Sequence, residues 1–104
     1  MGKVFWSDPA IEDLRSAVEY IAQDSPTYAE RFGVLLLAAL KRLEEFPRSG
    51  RIVPEFEDPS IREMIYGSYR VIYLVRGEGC HVVALVHASR DIVRHLSPGD
   101  WDVE

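Results

Sequence analysis

Four side chains of this 104-residue chain have the types that acid–base work on a phosphodiester requires: Glu55, Arg70, His87 and Arg90. Cleaving RNA through its own 2′-hydroxyl takes a base for that hydroxyl, an acid for the leaving oxygen and a cation for the charge building on the phosphorus oxygens. A glutamate, a histidine and arginines can fill those roles. Their spacing leaves simpler roles open. Arg70 can pair with Glu63 on the same face of a sheet, His87 can end a strand opposite Tyr69, and Arg51 with Glu55 can form an ion pair that fixes a loop. Other chemistries lack their motifs: there is no phosphate-cradling glycine loop, H-E-x-x-H, paired C-x-x-C or nucleophile elbow. His81 and His87 on one strand would stand roughly 20 Å apart, at ~3.3 Å per residue, so a shared metal is not expected, nor any cofactor. Cys80 reads as a small apolar filler at a strand end.

The elements that must position these residues follow from local patterns. Lys3 to Trp6 is a short β-type run, and Ser7-Asp8-Pro9 predicts helix entry with Asp8 as N-cap and Pro9 at the first helical position. Ile11, Leu14, Val18 and Ile21 recur at helical spacing, to about Asp24. Ser25-Pro26 opens a second helix with a predicted core stripe of Phe32, Leu35, Leu36, Ala39, Leu43 and Phe46. Val34 and Leu37 project on the other side, either as ordinary exposed aliphatics or as a partner-binding patch. Pro47 to Ser60, with three prolines and one glycine, predicts a long loop without regular structure.

Three β-rich runs follow: Ile61 to Tyr66, Tyr69 to Arg76 and Cys80 to Ala88. Gly67-Ser68 predicts a two-residue hairpin turn and Gly77-Glu78-Gly79 a three-residue one, giving an antiparallel meander. A helical turn over Asp91 to Leu96 and an acidic tail with Trp101 end the chain. The expected fold is α+β: a short N-terminal strand, then an antiparallel helix hairpin packed on a mostly antiparallel twisted sheet. By loop-set register, Ile61, Glu63, Ile65, Arg70, Ile72, Leu74, Val82, Ala84 and Val86 share one face. The other face carries Arg62, Met64, Tyr66, Tyr69, Val71, Tyr73, Val75, Val83, Leu85 and His87. The helices are expected on the first, aliphatic face, leaving part of the tyrosine face open; a one-residue bulge would reverse parity beyond it.

Length and composition set the class. At 104 residues with 47% hydrophobic content, the chain is read as one domain over residues 1–104. A single cysteine permits no intrachain disulfide and suits a reducing cytosol. The longest apolar run, Val34 to Leu40, is far short of a membrane span, and no signal-peptide pattern follows Met1, so a soluble cytoplasmic protein is expected. The net charge of −5 hides blocks: −4 over 1–30, +3 over 31–51, −3 over 52–60, +2 over 61–96 and −3 over 97–104. Such a chain is poorly suited to unassisted nucleic-acid binding, which draws its affinity from phosphate neutralisation.

The loop Phe46-Pro47-Arg48-Ser49-Gly50-Arg51-Ile52-Val53-Pro54-Glu55, the strand Tyr69-Arg70-Val71-Ile72-Tyr73 and the closing Val86-His87-Ala88-Ser89-Arg90-Asp91 resemble the RelE/ParE superfamily, the toxin half of bacterial type II toxin-antitoxin systems. The resemblance runs nearly end to end, and the F-P-x-S-G-R-x-V-P-E loop is similar to the ParE-like branch. It implies two mechanisms. RelE-like members cut mRNA in the ribosomal A site with sheet arginines and lysines and a C-terminal tyrosine. Arg70 and Arg90 match arginine positions, and Arg62 keeps a basic strand position. Met64 stands where a second lysine is expected and Leu96 where the tyrosine is.

A ribosome-dependent subgroup uses a glutamate base, matched by Glu55, and a histidine acid, approximated by His87 or His95. The ParE-like branch instead inhibits DNA gyrase by stabilising cleaved DNA, with Arg51, Arg62, Arg70 and Arg90 as implied target contacts. The acidic balance and the lost lysine and tyrosine favour the gyrase-directed reading over the nuclease. A third is a toxin-like fold without poison activity, serving as a binding or regulatory partner. The resemblance also implies a cognate antitoxin whose C-terminal segment wraps the toxin and whose N-terminal domain binds operator DNA. It would give a use to Val34, Leu37 and Lys41, to the basic 31–51 block and to an open sheet face.

Overall fold

The computed structural model describes residues 2–77 and 79–101. Glu78 of the predicted second turn and residues 102–104 of the acidic tail lie outside them. The chain runs β1 (Val4–Trp6), α1 (Asp8–Ala22), α2 (Pro26–Leu40), a 3-10 turn (Lys41–Glu44), β2 (Arg51–Ile52), β3 (Ile61–Tyr66), β4 (Tyr69–Arg76), β5 (Gly79–His87), α3 (Ile92–His95) and a second 3-10 turn (Pro98–Asp100). The five strands form one sheet in the order β1-β5-β4-β3-β2. β1 runs parallel to β5 and every other pair is antiparallel. The α+β architecture therefore matches the expectation, with one addition: β2 arises inside the segment read as an irregular loop.

Serine caps start both long helices. Ser7 accepts the Ala10 N–H and Ser25 the Tyr28 N–H, each at 3.1 Å. The first cap is thus Ser7 rather than Asp8, which instead opens α1 where a carboxylate complements the positive end of the helix. α1 buries Ala10 and Ala17 with Leu14, Val18 and Ile21 beside them, and Ile11 is exposed. α2 buries Ala29, Phe32, Leu36 and Leu40. Leu35 and Phe46, both predicted for the core, are exposed. For Phe46 the reason is the change to 3-10 winding after Leu40, whose tighter turns rotate later residues off the stripe of α2.

The helices cover the tyrosine face, the reverse of the expected packing. Phe32, Leu36, Leu40 and Leu43 pack with Val71, Tyr73, Val75, Cys80, Val82 and Leu85. The Phe32 ring lies 5.6 Å from Tyr66 and 5.3 Å from Tyr69. Ala10, Ala17 and Ala29 are the small buried residues of the helices, and the Tyr73 hydroxyl reaches the backbone of Pro47 and Gly50 at the rim. The aliphatic face is buried too, but by the chain's own loop and C-terminus. Val53, Phe56, Ile92, Leu96 and Trp101 close over Ile61, Ile72, Leu74, Val83, Ala84 and Val86.

A bulge explains the mixed parity of β5. Ile72 pairs with Ala84 and Tyr73 with Val82, which leaves Val83 without a β4 partner. Val82 therefore joins the helix side while Val83 and Ala84 both face the other cluster. β1 stops early because Ser7 turns the chain into α1, and Asp13 of α1 accepts the Leu85 N–H at 3.1 Å on the uncovered edge of β5. Arg76 pairs with Gly79, so two residues rather than three separate the paired positions at that turn. Gly67 supplies the left-handed backbone, φ 59°, of the β3–β4 turn.

Gly50 is required by close approach, not by a special backbone angle. A Cβ there would stand 2.5 Å from both the Glu63 carbonyl oxygen and the Tyr73 hydroxyl. Gly50→Ala is expected to destabilise the fold by about 1–3 kcal/mol, read as a lower urea midpoint.

Candidate functional site

A tight turn aims Glu55 at the sheet. The Val53 carbonyl accepts the N–H groups of Phe56 and Glu57 at 3.2 and 3.1 Å, with Glu57 in left-handed backbone at φ 52°. The Val53 N–H is anchored to the Ile61 carbonyl at 3.0 Å. From this turn Glu55 meets Arg70 in a bidentate pair, at 2.9 and 2.8 Å to Nη1 and Nη2. The Nε of Arg70 donates to Glu63 Oε1 at 2.5 Å, and the other Glu63 oxygen accepts from Arg51 Nε at 2.5 Å. Both Glu63 and Arg70 are buried. The result is a neutral chain of charges, Arg51–Glu63–Arg70–Glu55, across the aliphatic face of the sheet. Arg51 pairs with Glu63 rather than with Glu55, because the register sets Arg51 directly opposite Glu63.

The electrostatics follow from those contacts. Its hydrogen bonds to Arg70 hold the Glu55 carboxyl below its ordinary 4.5. The same bonds to Glu55, opposed by burial and seconded by Glu63, keep Arg70 charged at any pH the protein survives.

Arg62 is committed to the loop. Its Nε donates to the Pro59 carbonyl at 2.9 Å, and Nη1 to the carbonyls of Arg48 and Gly50 at 3.1 and 3.0 Å. Tyr73 holds the same loop from inside. Its hydroxyl donates to the Pro47 carbonyl at 2.9 Å and accepts the Gly50 N–H at 3.0 Å. Burial raises its pKa, so the donor is retained.

His87 and Arg90 do not join Glu55 and Arg70. Tyr69 pairs with His87 and Arg70 with Val86, so His87 and Arg70 project to opposite faces of the sheet. His87 lies edge-on to Tyr69, ring centroids 5.3 Å apart, and its Nδ1 stands 3.2 Å from the Ser89 backbone nitrogen and 2.8 Å from the Ser89 hydroxyl. With Asp13, Tyr20, Arg90 and His95 it lines an open cavity of about 650 Å³ between α1 and the end of β5. Burial raises the Asp13 carboxyl above its usual range, partly offset by the Leu85 N–H and by Arg90. Leu96 packs on the aliphatic cluster and Met64 on the helix-side one. On α2, Val34 and Leu37 are 63% and 48% exposed, and Lys41 lies exposed near them in sequence. Among the described residues no group of His, Cys, Asp and Glu could hold a metal ion.

Removing one partner of a buried pair strands the other. Arg70→Ala should therefore cost about 3–5 kcal/mol of stability, measured by urea unfolding. Since the Glu55 pKa is depressed in the folded state, its contribution is complete above the ordinary carboxyl value and is lost as pH falls through the depressed one. Glu55→Gln should flatten that acid limb of the stability curve while lowering stability at neutral pH, as seen in melts from pH 7 downward.

Comparison with known proteins agrees with this architecture. A toxin named RelE2 from Caulobacter vibrioides is 33% identical over 91 residues, covering 86% of this chain and 99% of that protein. A solved structure described as a chromosomal ParDE TA system from P. aeruginosa superposes with a TM-score of 0.68 at 19% identity, over 84% of this chain and 96% of the other, a likeness of fold. Residues 4–92 match the family described as ParE toxin of type II toxin-antitoxin system, parDE. With that match spanning most of the sheet and both long helices, the chain belongs to the ParE toxin family of type II toxin-antitoxin systems.

Proposed function

We propose that this toxin acts by binding, as an inhibitor of DNA gyrase that stabilises the cleaved-DNA state, and that a cognate antitoxin neutralises it in the cytoplasm. The observation that carries this reading is the saturation of Arg70. A nuclease site needs an accessible cation for the developing phosphorane charge. Here all three guanidinium nitrogens donate to Glu55 and Glu63. Arg62 on β3 is held by backbone carbonyls, Arg51 on β2 gives its Nε to Glu63, and His87 faces away from Arg70. Net charge of −5 works against a long RNA path across the surface. Inhibition by docking requires none of these groups to be free.

The antitoxin is assigned to the outer face of α2. Val34, Leu37 and Lys41 fall within about 60° of one another at 100° per residue, so they form one stripe with an apolar middle and a basic end. Such a stripe suits the apolar side of an amphipathic segment with acidic flanks. No helix among the described residues is long and apolar enough to cross a membrane.

Purified gyrase with ATP and supercoiled or relaxed plasmid tests the first claim. Added toxin should block supercoiling and accumulate DNA breaks, and antitoxin should reverse both. No effect on gyrase from folded protein that arrests growth, together with ribosome-dependent mRNA cuts, would refute it. Folded protein that leaves growth untouched in the absence of antitoxin would instead favour the regulatory-partner reading. For the second claim, Val34→Asp with Leu37→Asp should weaken antitoxin binding by about tenfold or more in calorimetry while the unfolding midpoint holds.

A further inference from the structure

The sharp corner after α2 is an apolar surface feature that the fold holds rigid without burying. Phe46 is 56% exposed, yet its N–H bonds the Arg42 carbonyl at 2.9 Å and its carbonyl accepts the Ser49 N–H at 3.0 Å. The next residues are fixed from two sides. Tyr73 ties Pro47 and Gly50 from the core, and Arg62 ties Arg48 and Gly50 from the sheet. Beside Phe46 opens a mostly apolar cleft of about 550 Å³, lined by Arg42, Glu45, Phe46, Pro47, Arg48 and Ser49.

Free charge and an apolar cleft coincide at this corner, whereas Arg31, Arg90 and Arg94, which also make no ion pair among the described residues, stand elsewhere on the surface. Arg51, Arg62 and Arg70 are all engaged by carboxylates or carbonyls. Among the described residues the guanidinium groups of Arg42 and Arg48 make no hydrogen bond or ion pair. They flank an apolar cleft within the most basic block of an acidic chain. A rigid aromatic edge with unpaired cations on its rim is pre-organised for a side chain that is apolar and carried on an acidic strand or helix. The corner is also separate from the α2 stripe, because Arg42 lies in the 3-10 turn after α2, whose winding of about 120° per residue carries it roughly 130° from the middle of the Val34–Leu37–Lys41 face.

We propose that the Phe46–Ser49 corner, with Arg42 and Arg48, is the docking site for an acidic, apolar-centred protein segment of the inhibited enzyme, and that Tyr73 is its positioning residue. This claim rests on the gyrase reading above. The occupant is the target and not the antitoxin, which takes the α2 stripe. The sheet arginines then contribute by shaping the corner, not by touching the target.

The test compares wild type, Arg42→Glu/Arg48→Glu, Arg42→Lys/Arg48→Lys and Phe46→Ser in the gyrase supercoiling assay, with antitoxin affinity and thermal melts measured on the same preparations. The expected result is that charge reversal and Phe46→Ser each raise the half-inhibitory concentration about tenfold or more, with antitoxin affinity and melting unchanged, while the lysine pair retains most of the inhibition. Tyr73→Phe keeps the ring but drops both loop bonds, and should raise the half-inhibitory concentration with antitoxin affinity intact. Wild-type inhibition that the reversed pair retains overturns the docking site alone. Equal loss of antitoxin affinity also overturns it, by assigning the corner to the antitoxin. A wild-type protein with no effect on gyrase overturns the function and the docking site together.

Discussion

A carboxylate sits inside the sheet, and much of the molecule is arranged around giving both its oxygens a partner. Glu63 is 1% exposed, and an ionised group in that position is tolerated only with partners on both oxygens. Arg70 from the neighbouring strand takes one oxygen and Arg51 takes the other. Arg70 has two further nitrogens, which fix Glu55 and with it the turn after β2. The segment between α2 and β3 is therefore anchored by charge although it contributes a strand of only two residues. The same arrangement engages all three guanidinium nitrogens of Arg70.

The two faces of the sheet are covered by different means. On the helix side, Ala10 and Ala17 of α1 and Phe32, Leu36 and Leu40 of α2 meet Val71, Tyr73, Val75, Val82 and Leu85 of the sheet. Tyr73 does two things there: its ring fills the core, and its hydroxyl holds the start of the loop. On the opposite side no helix of the hairpin is present, and Val53, Phe56 and the C-terminal Ile92, Leu96 and Trp101 close the layer. Both faces of the sheet are thus covered, while the outer face of α2, the corner after it and the cavity near His87 are open.

This distribution suits a protein that meets two partners in turn. The apolar stripe of α2 and the basic corner lie on adjoining parts of the chain but point in different directions, so the proposed antitoxin and target sites can be filled by unlike segments. Local positive regions on an acidic molecule give partner choice through charge placement more than through net charge.

Local signals in the sequence determined the strands of the meander, the two helices, their serine–proline starts and the glycine turn at residue 67, because each depends on neighbours a few positions away. The pattern of Arg70 with Glu63 was also legible, since residues in paired strands of equal parity share a face. Three matters were settled only in three dimensions. Which face takes the helices depended on the fit of the helix side chains, Phe32 against Tyr66 and Tyr69 among them, a property of two surfaces and not of either alone. The bulge at Val83 changed the facing of part of β5, and nothing in β5 itself marks where its ladder slips. Finally, Arg51 chose Glu63, Arg62 chose backbone carbonyls, and His87 was parted from Arg70. Those choices follow from register and from the need to compensate a buried charge, and both exist only once the sheet has assembled.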